Sequence, residues 1–152
     1  MYTNELEQYL LDIFANTLFE SDKELYPTLE EANAKLALNT LDTPVDKDYS
    51  GYGILRKVGS DNKSTSITNN YNRKLTQYKF YYMGRKYSDN QLGMIDIKDK
   101  LFTSINGLTQ INLKHTFVNY IECFNDDFYN LDTNEYTIYG FSIDIDYFLR
   151  KQ

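Results

Sequence analysis

Tryptophan is absent, Cys123 is the only cysteine, His115 is the only histidine, and there are two prolines in 152 residues. A single cysteine rules out an intrachain disulfide, so the fold must rest on its hydrophobic core. The setting of that cysteine in YIECF reads as an inert buried thiol. One histidine and one cysteine cannot supply a His-Cys zinc set, and no Ser-His-Asp arrangement can be built around His115. His115 therefore reads as a polar residue at the start of a strand. No apolar run approaches the roughly 20 residues of a membrane-spanning helix. The opening MYTNELEQYLL lacks the positive leader region of a signal peptide, so export by that route is not expected.

Gly84 and Gly93 stand alone and match neither the dinucleotide nor the phosphate-loop spacing. Asp132, Thr133 and Asn134 imitate the start of a calcium loop, but Thr137 and Ile143 stand where it needs its glycine and bidentate glutamate. Asp132 and Asn134 read as turn formers instead. No nucleophile, base and orienting group come together, so neither enzymatic turnover, nor a cofactor, nor a held metal is expected.

What the chain does have is aromatic residues, 15 Tyr and nine Phe, which pack well on a pleated, half-buried sheet. Its length suits one domain. Asn4 to Phe19 places Leu6, Tyr9, Leu10, Ile13, Phe14 and Leu18 on one helical stripe, with Asn4 and Glu7 as a capping box. Thr28 and Glu31 form a second box, opening a short helix that takes in Leu29, Ala32, Leu36 and Ala37. Residues 40–50 read as a loop and Tyr52 to Val58 as a strand. Gly59 to Asn72 is polar and reads as a long mobile connection, since so few apolar groups cannot offset the ordering cost.

Lys74 to Tyr87 reads as a long strand with Tyr78, Phe80 and Tyr82 on one face and Gln77, Lys79 and Tyr81 on the other. Asp89 to Ile105 switches to helical period, with Asp89 as cap and Asn106-Gly107 as stop. Ile111 to Phe124 and Tyr136 to Leu149 close the chain as an antiparallel pair. In the last strand Tyr139, Phe141, Ile143, Ile145 and Tyr147 share one face and Ser142, Asp144 and Asp146 the other, which reads as solvated or pore-facing. Asp144 and Asp146, about 7 Å apart by strand geometry, have acid–base or cation-binding chemistry as the rival reading. The expected fold is α+β, a mostly antiparallel sheet packed against two main helices.

Charge is segregated along the chain. Residues 1–50 hold 11 acids and three bases, residues 56–86 eight bases and one acid, and residues 87–152 ten acids and five bases. A basic middle between acidic flanks suits an oppositely charged partner. Arg56, Lys57, Arg73, Lys74, Arg85 and Lys86 are the candidate contact residues.

The order of elements resembles the tail terminator, tail-completion and minor capsid (head–tail joining) proteins of long-tailed bacteriophages. The likeness spans residues 4–149 and is carried by TQYKFYYMGRKYSDNQLGMIDIKDKLFTSINGL and CFNDDFYNLDTNEYTIYGFSIDIDYF. The acidic segment 21–50 departs from that pattern and leaves terminator, neck adaptor and minor capsid roles open. The resemblance implies a virion protein assembled in the host cytoplasm. It also implies a homo-oligomeric ring, commonly of six, bound to tail tube and head connector proteins, with genomic DNA passing through the lumen without sequence-specific contacts and no membrane partner.

Two other classes remain. One is a nucleic-acid-binding module using the same basic residues with Lys79 and interleaved tyrosines. The other is a small acidic inhibitor or immunity-type binding protein.

Overall fold

The computed structural model describes residues 5–38, 52–63, 71–84, 91–129 and 137–150. It is an α+β fold: α1 (Glu5–Ser21), α2 (Leu29–Ala34), β1 (Leu36–Leu38), β2 (Tyr52–Lys63), β3 (Tyr71–Gly84), α3 (Gln91–Ile105), β4 (Thr109–Asn112), β5 (Thr116–Tyr129) and β6 (Thr137–Arg150). The strands form one mixed sheet in the order β1-β2-β3-β6-β5-β4. Only β1 and β2 run parallel.

The core lies on one face of this sheet. Leu6, Leu10, Phe14 and Leu18 recur every fourth residue along α1 and are all buried, as are Ile97, Leu101 and Ile105 of α3. They meet Tyr78, Phe80 and Tyr82 of β3 and Tyr139, Phe141, Ile143 and Ile145 of β6. Phe14 stacks on Phe80 with centroids 4.0 Å apart. Phe141 stands at the centre, its ring 5.5 to 6.2 Å from those of Phe102, Tyr139, Phe80 and Phe14. Several buried hydroxyls find partners within the layer: Tyr78 donates to Glu7 at 3.1 Å, the Tyr26 and Tyr82 hydroxyls bond one another, and Thr76 donates to the Tyr147 hydroxyl at 3.2 Å. Burial pushes the Tyr26 phenol well above its ordinary value.

Several elements differ from the sequence expectation. Glu7, read as a capping partner of Asn4, accepts from the Tyr78 hydroxyl in the core, and Asn4 lies outside the described residues. The Thr28 cap forms as read, its hydroxyl accepting from the Glu31 N–H. The helix nevertheless ends at Ala34, and Leu36 and Ala37 become strand, because the Lys35 carbonyl accepts from Gly53 N–H and β1 pairs along β2. That approach needs glycine at 53, where a Cβ would sit 2.6 Å from Leu36 Cδ2 and 2.8 Å from Phe80 Cζ.

The polar segment expected to be a mobile connection is partly sheet. Ser60–Lys63 pairs with Arg73–Thr76, and Tyr71 and Asn72 pair with Arg150 and Leu149. Backbone ladder bonds need no apolar side chains, which the compositional argument overlooked. Residues 64–70, like the loop 40–50 and the Asp89 cap, lie outside the described residues.

The strand expected from Ile111 divides in two, with Leu113 donating its N–H to Thr116 across a tight turn. His115 sits in that turn. The stop after α3 is as read: Gly107 has φ +84, and Asn106 accepts the Cys123 N–H through its side chain at 3.0 Å.

Glu5 ties the first turn of α1 to the β4–β5 turn, its two carboxylate oxygens 2.9 and 3.2 Å from the His115 N–H. Burial raises its pKa, but hydrogen bonds from the His115 N–H, the Thr116 hydroxyl and the Lys114 N–H outweigh that and hold it below the ordinary 4.5. A depressed carboxyl contributes stability that is full above about pH 4.5 and lost as pH falls through its folded value. The stability difference between wild type and Glu5→Gln, read by urea unfolding, should therefore shrink between about pH 7 and pH 3. A difference independent of pH would show that this contact carries no net charge interaction.

Candidate assembly surface

The second face of the sheet bears no helix among the described residues. At one end Ile54, Met83 and Ile138 bury one another beside Ala37 and Tyr81, all from the sheet. Elsewhere on this face the pairing register sets two like-charge pairs side by side. Arg56 of β2 stands directly opposite Lys79 of β3. Glu122 of β5 stands directly opposite Asp144 of β6. Like charges so placed are mutually destabilising within the free chain. The basic half (β2 and β3) and the acidic half (β6 and β5) abut along the β3–β6 seam.

Between them lies one closed ion pair. Asp146, fully buried, takes two parallel bonds from Arg73, Nε to Oδ1 at 2.8 Å and Nη2 to Oδ2 at 2.8 Å. Asn119 adds a third at 3.0 Å from β5. Hydrogen bonding to Asp146, then its charge, raises the Arg73 pKa above its ordinary value. The cluster bridges β3, β6 and β5 in a fork geometry that only arginine offers.

This corrects the reading of Asp146 as solvated or pore-facing, and it closes the carboxylate to acid–base or cation chemistry. The expectation arose from strand alternation, which says that Asp146 leaves the core face but not what meets it there. Asp144, two residues before it, is half-buried.

The candidate contact residues separate accordingly. Arg56 is exposed on the helix-free face, and Lys57 is exposed on β2 with its register partner Tyr78 on the helix face. Arg73 is engaged with Asp146. Lys74 is half-buried opposite Tyr147. Arg85 and Lys86 lie outside the described residues. Sequence reasoning missed Asn119 and the pairing of Glu122 with Asp144, because both depend on a register set by the bulges between Val118 and Tyr120 and between Phe124 and Asp127.

Among the described residues no group of three or more His, Cys, Asp or Glu is placed to hold a metal ion. Cys123 is buried, and desolvation, reinforced by the Glu122 charge, pushes its thiol up to about 12, so it stays protonated at neutral pH.

No model of a known protein family matches the chain, and no curated protein sequence matches it. Among solved structures, a chain from the virion of a native gene transfer agent (GTA) particle is similar, with a TM-score of 0.41 and 8% identity over 92% of each chain. A likeness at that level bears on neither function nor partners.

Proposed function

We propose that the chain is a structural virion protein, a tail terminator or tail-completion ring subunit that caps the tail tube and joins it to the head connector. The observation that carries this reading is the division of the helix-free sheet face into a basic half and an acidic half. A head-to-tail ring needs two different, complementary patches on every subunit. Arg56 is the proposed positive partner on that face; Lys57 and Lys74, on the helix-bearing side, and Arg85 and Lys86 of the same basic stretch are proposed as further contacts. Arg73 stabilises the acidic side from within.

Exposed pairs contribute roughly 0–1 kcal/mol each, so charge sets orientation and rate while apolar contacts hold the ring.

The test is to mix the purified protein with assembled tail tubes of the same virion and image the product. Density confined to tube ends, with elongation arrested, is the expected result. Binding along the tube wall, or none, contradicts it. Salt-sensitive retention of DNA by the isolated subunit would favour the nucleic-acid module, and a tight one-to-one complex with an enzyme the inhibitor.

A further inference from the structure

Asn106 is the only asparagine of the chain that is followed by a glycine. Asparagine in that position is chemically labile, because glycine has no side chain to hinder attack by its own amide nitrogen on the neighbouring carboxamide carbon. Both residues are exposed, in the turn that follows α3. Nucleophile, electrophile and water are therefore together.

In the folded chain both reacting groups are held elsewhere. The Gly107 N–H donates to the Ile121 carbonyl at 2.9 Å, and the Asn106 side-chain oxygen accepts the Cys123 N–H at 3.0 Å. Between them the Ile121 N–H donates to the Leu108 carbonyl at 2.8 Å, so the turn is laced to β5. The backbone is anchored on both sides of the pair. The Asn106 N–H donates to the Phe102 carbonyl of α3 at 3.1 Å, and from Thr109 onward the chain pairs with β5 as β4. Ile105, just before the turn, and Ile121, across from it, are buried in the core.

We propose that Asn106 is a deamidation site whose reaction is gated by the opening of this α3–β5 joint. In the reaction the Gly107 nitrogen gives up its proton and bonds to Asn106 Cγ. The bond from Cγ to Nδ2 breaks, and Nδ2 leaves as ammonia with that proton. The cyclic imide so formed adds one water and opens at either carbonyl, leaving aspartate or isoaspartate at the position; nothing is oxidised or reduced.

The closed joint opposes the first step twice. The Gly107 proton is committed to the Ile121 carbonyl, and the carboxamide cannot turn toward the Gly107 nitrogen without giving up the Cys123 N–H. The products differ in what they leave behind. Aspartate keeps an oxygen for the Cys123 N–H and adds a negative charge near the exposed Glu122. Isoaspartate lengthens the backbone by one carbon inside the turn, which shifts Gly107 and Leu108 away from their partners on Ile121.

The opening that frees the Gly107 nitrogen for attack also frees its proton for exchange with solvent, so two independently measured rates must agree. The full-length chain is incubated at neutral pH in buffer and in unfolding urea, and isoaspartate and aspartate at position 106 are followed by peptide mapping. The native protein should react at least about tenfold more slowly than the unfolded chain, and that factor should match the hydrogen-exchange protection of the Gly107 amide within about threefold. Equal rates in the two states overturn the proposal, and so does an unfolded chain that does not react at Asn106. A slow native reaction beside an unprotected Gly107 amide also overturns it, because something other than the joint would then hold the reaction back.

Discussion

Replacing Phe141 with alanine should cost about 3–5 kcal/mol of stability. The ring is 2% exposed and touches aromatic side chains from α1, α3, β3 and its own strand, so its removal leaves a cavity bordered by four elements. Phe14 and Phe80 are already stacked on each other and cannot both move to fill it. Domains of this size are stable by roughly 5–15 kcal/mol, so the variant should lie close to unfolding. Urea denaturation should show a lower midpoint with an unchanged slope. Val58→Ala, at a side chain 49% exposed, should change stability by less than about 0.5 kcal/mol. A Phe141→Ala loss as small as that of Val58→Ala would mean that the helices do not pack on the sheet through this ring.

The second large effect concerns Asp146. Arg73→Ala removes two of the bonds that hold the buried Asp146 carboxylate, and a buried charge that loses its ion partner is strongly destabilising. Replacing both members with leucine should be far milder, near neutral, because the desolvation cost disappears together with the attraction. A double variant as unstable as Arg73→Ala would show that the fork itself, through its geometry across three strands, holds the sheet. Assembly experiments that reverse Arg73 would confuse this internal role with an intersubunit one, so Arg56 is the cleaner probe.

Periodicity made much of the fold legible. The stripes of α1 and α3 and the alternation of β3 and β6 assign the inward faces of Phe14, Leu101, Phe80 and Phe141 correctly, since side-chain direction follows from backbone period alone. Leu36 and Ala37 were illegible because a three-residue strand has no period to read, and its pairing with Gly53–Leu55 is a tertiary event. The extension of β2 through Ser60–Lys63 was hidden for a related reason: polar residues pair as readily as apolar ones when a neighbouring strand holds the ladder.

The candidate surface was legible only as charge. Linear segregation of bases into residues 56–86 survives folding only in part: β2 and β3 pair and bring Arg56 beside Lys79, but alternation sends Lys57 and Lys74 to the helix-bearing side. Which bases are available did not follow. Arg73 and Asp146 lie 73 residues apart in sequence, and nothing local marks Arg73 as engaged while Arg56 is exposed.

The central claim is that this chain assembles with itself head to tail, and the mass of the purified protein in solution tests it most directly. The account predicts that, as concentration rises, the 17.9 kDa chain gives way to one closed species of fixed subunit number, commonly six, with no further growth. A 17.9 kDa monomer at every concentration, or a dimer that never grows, would contradict it.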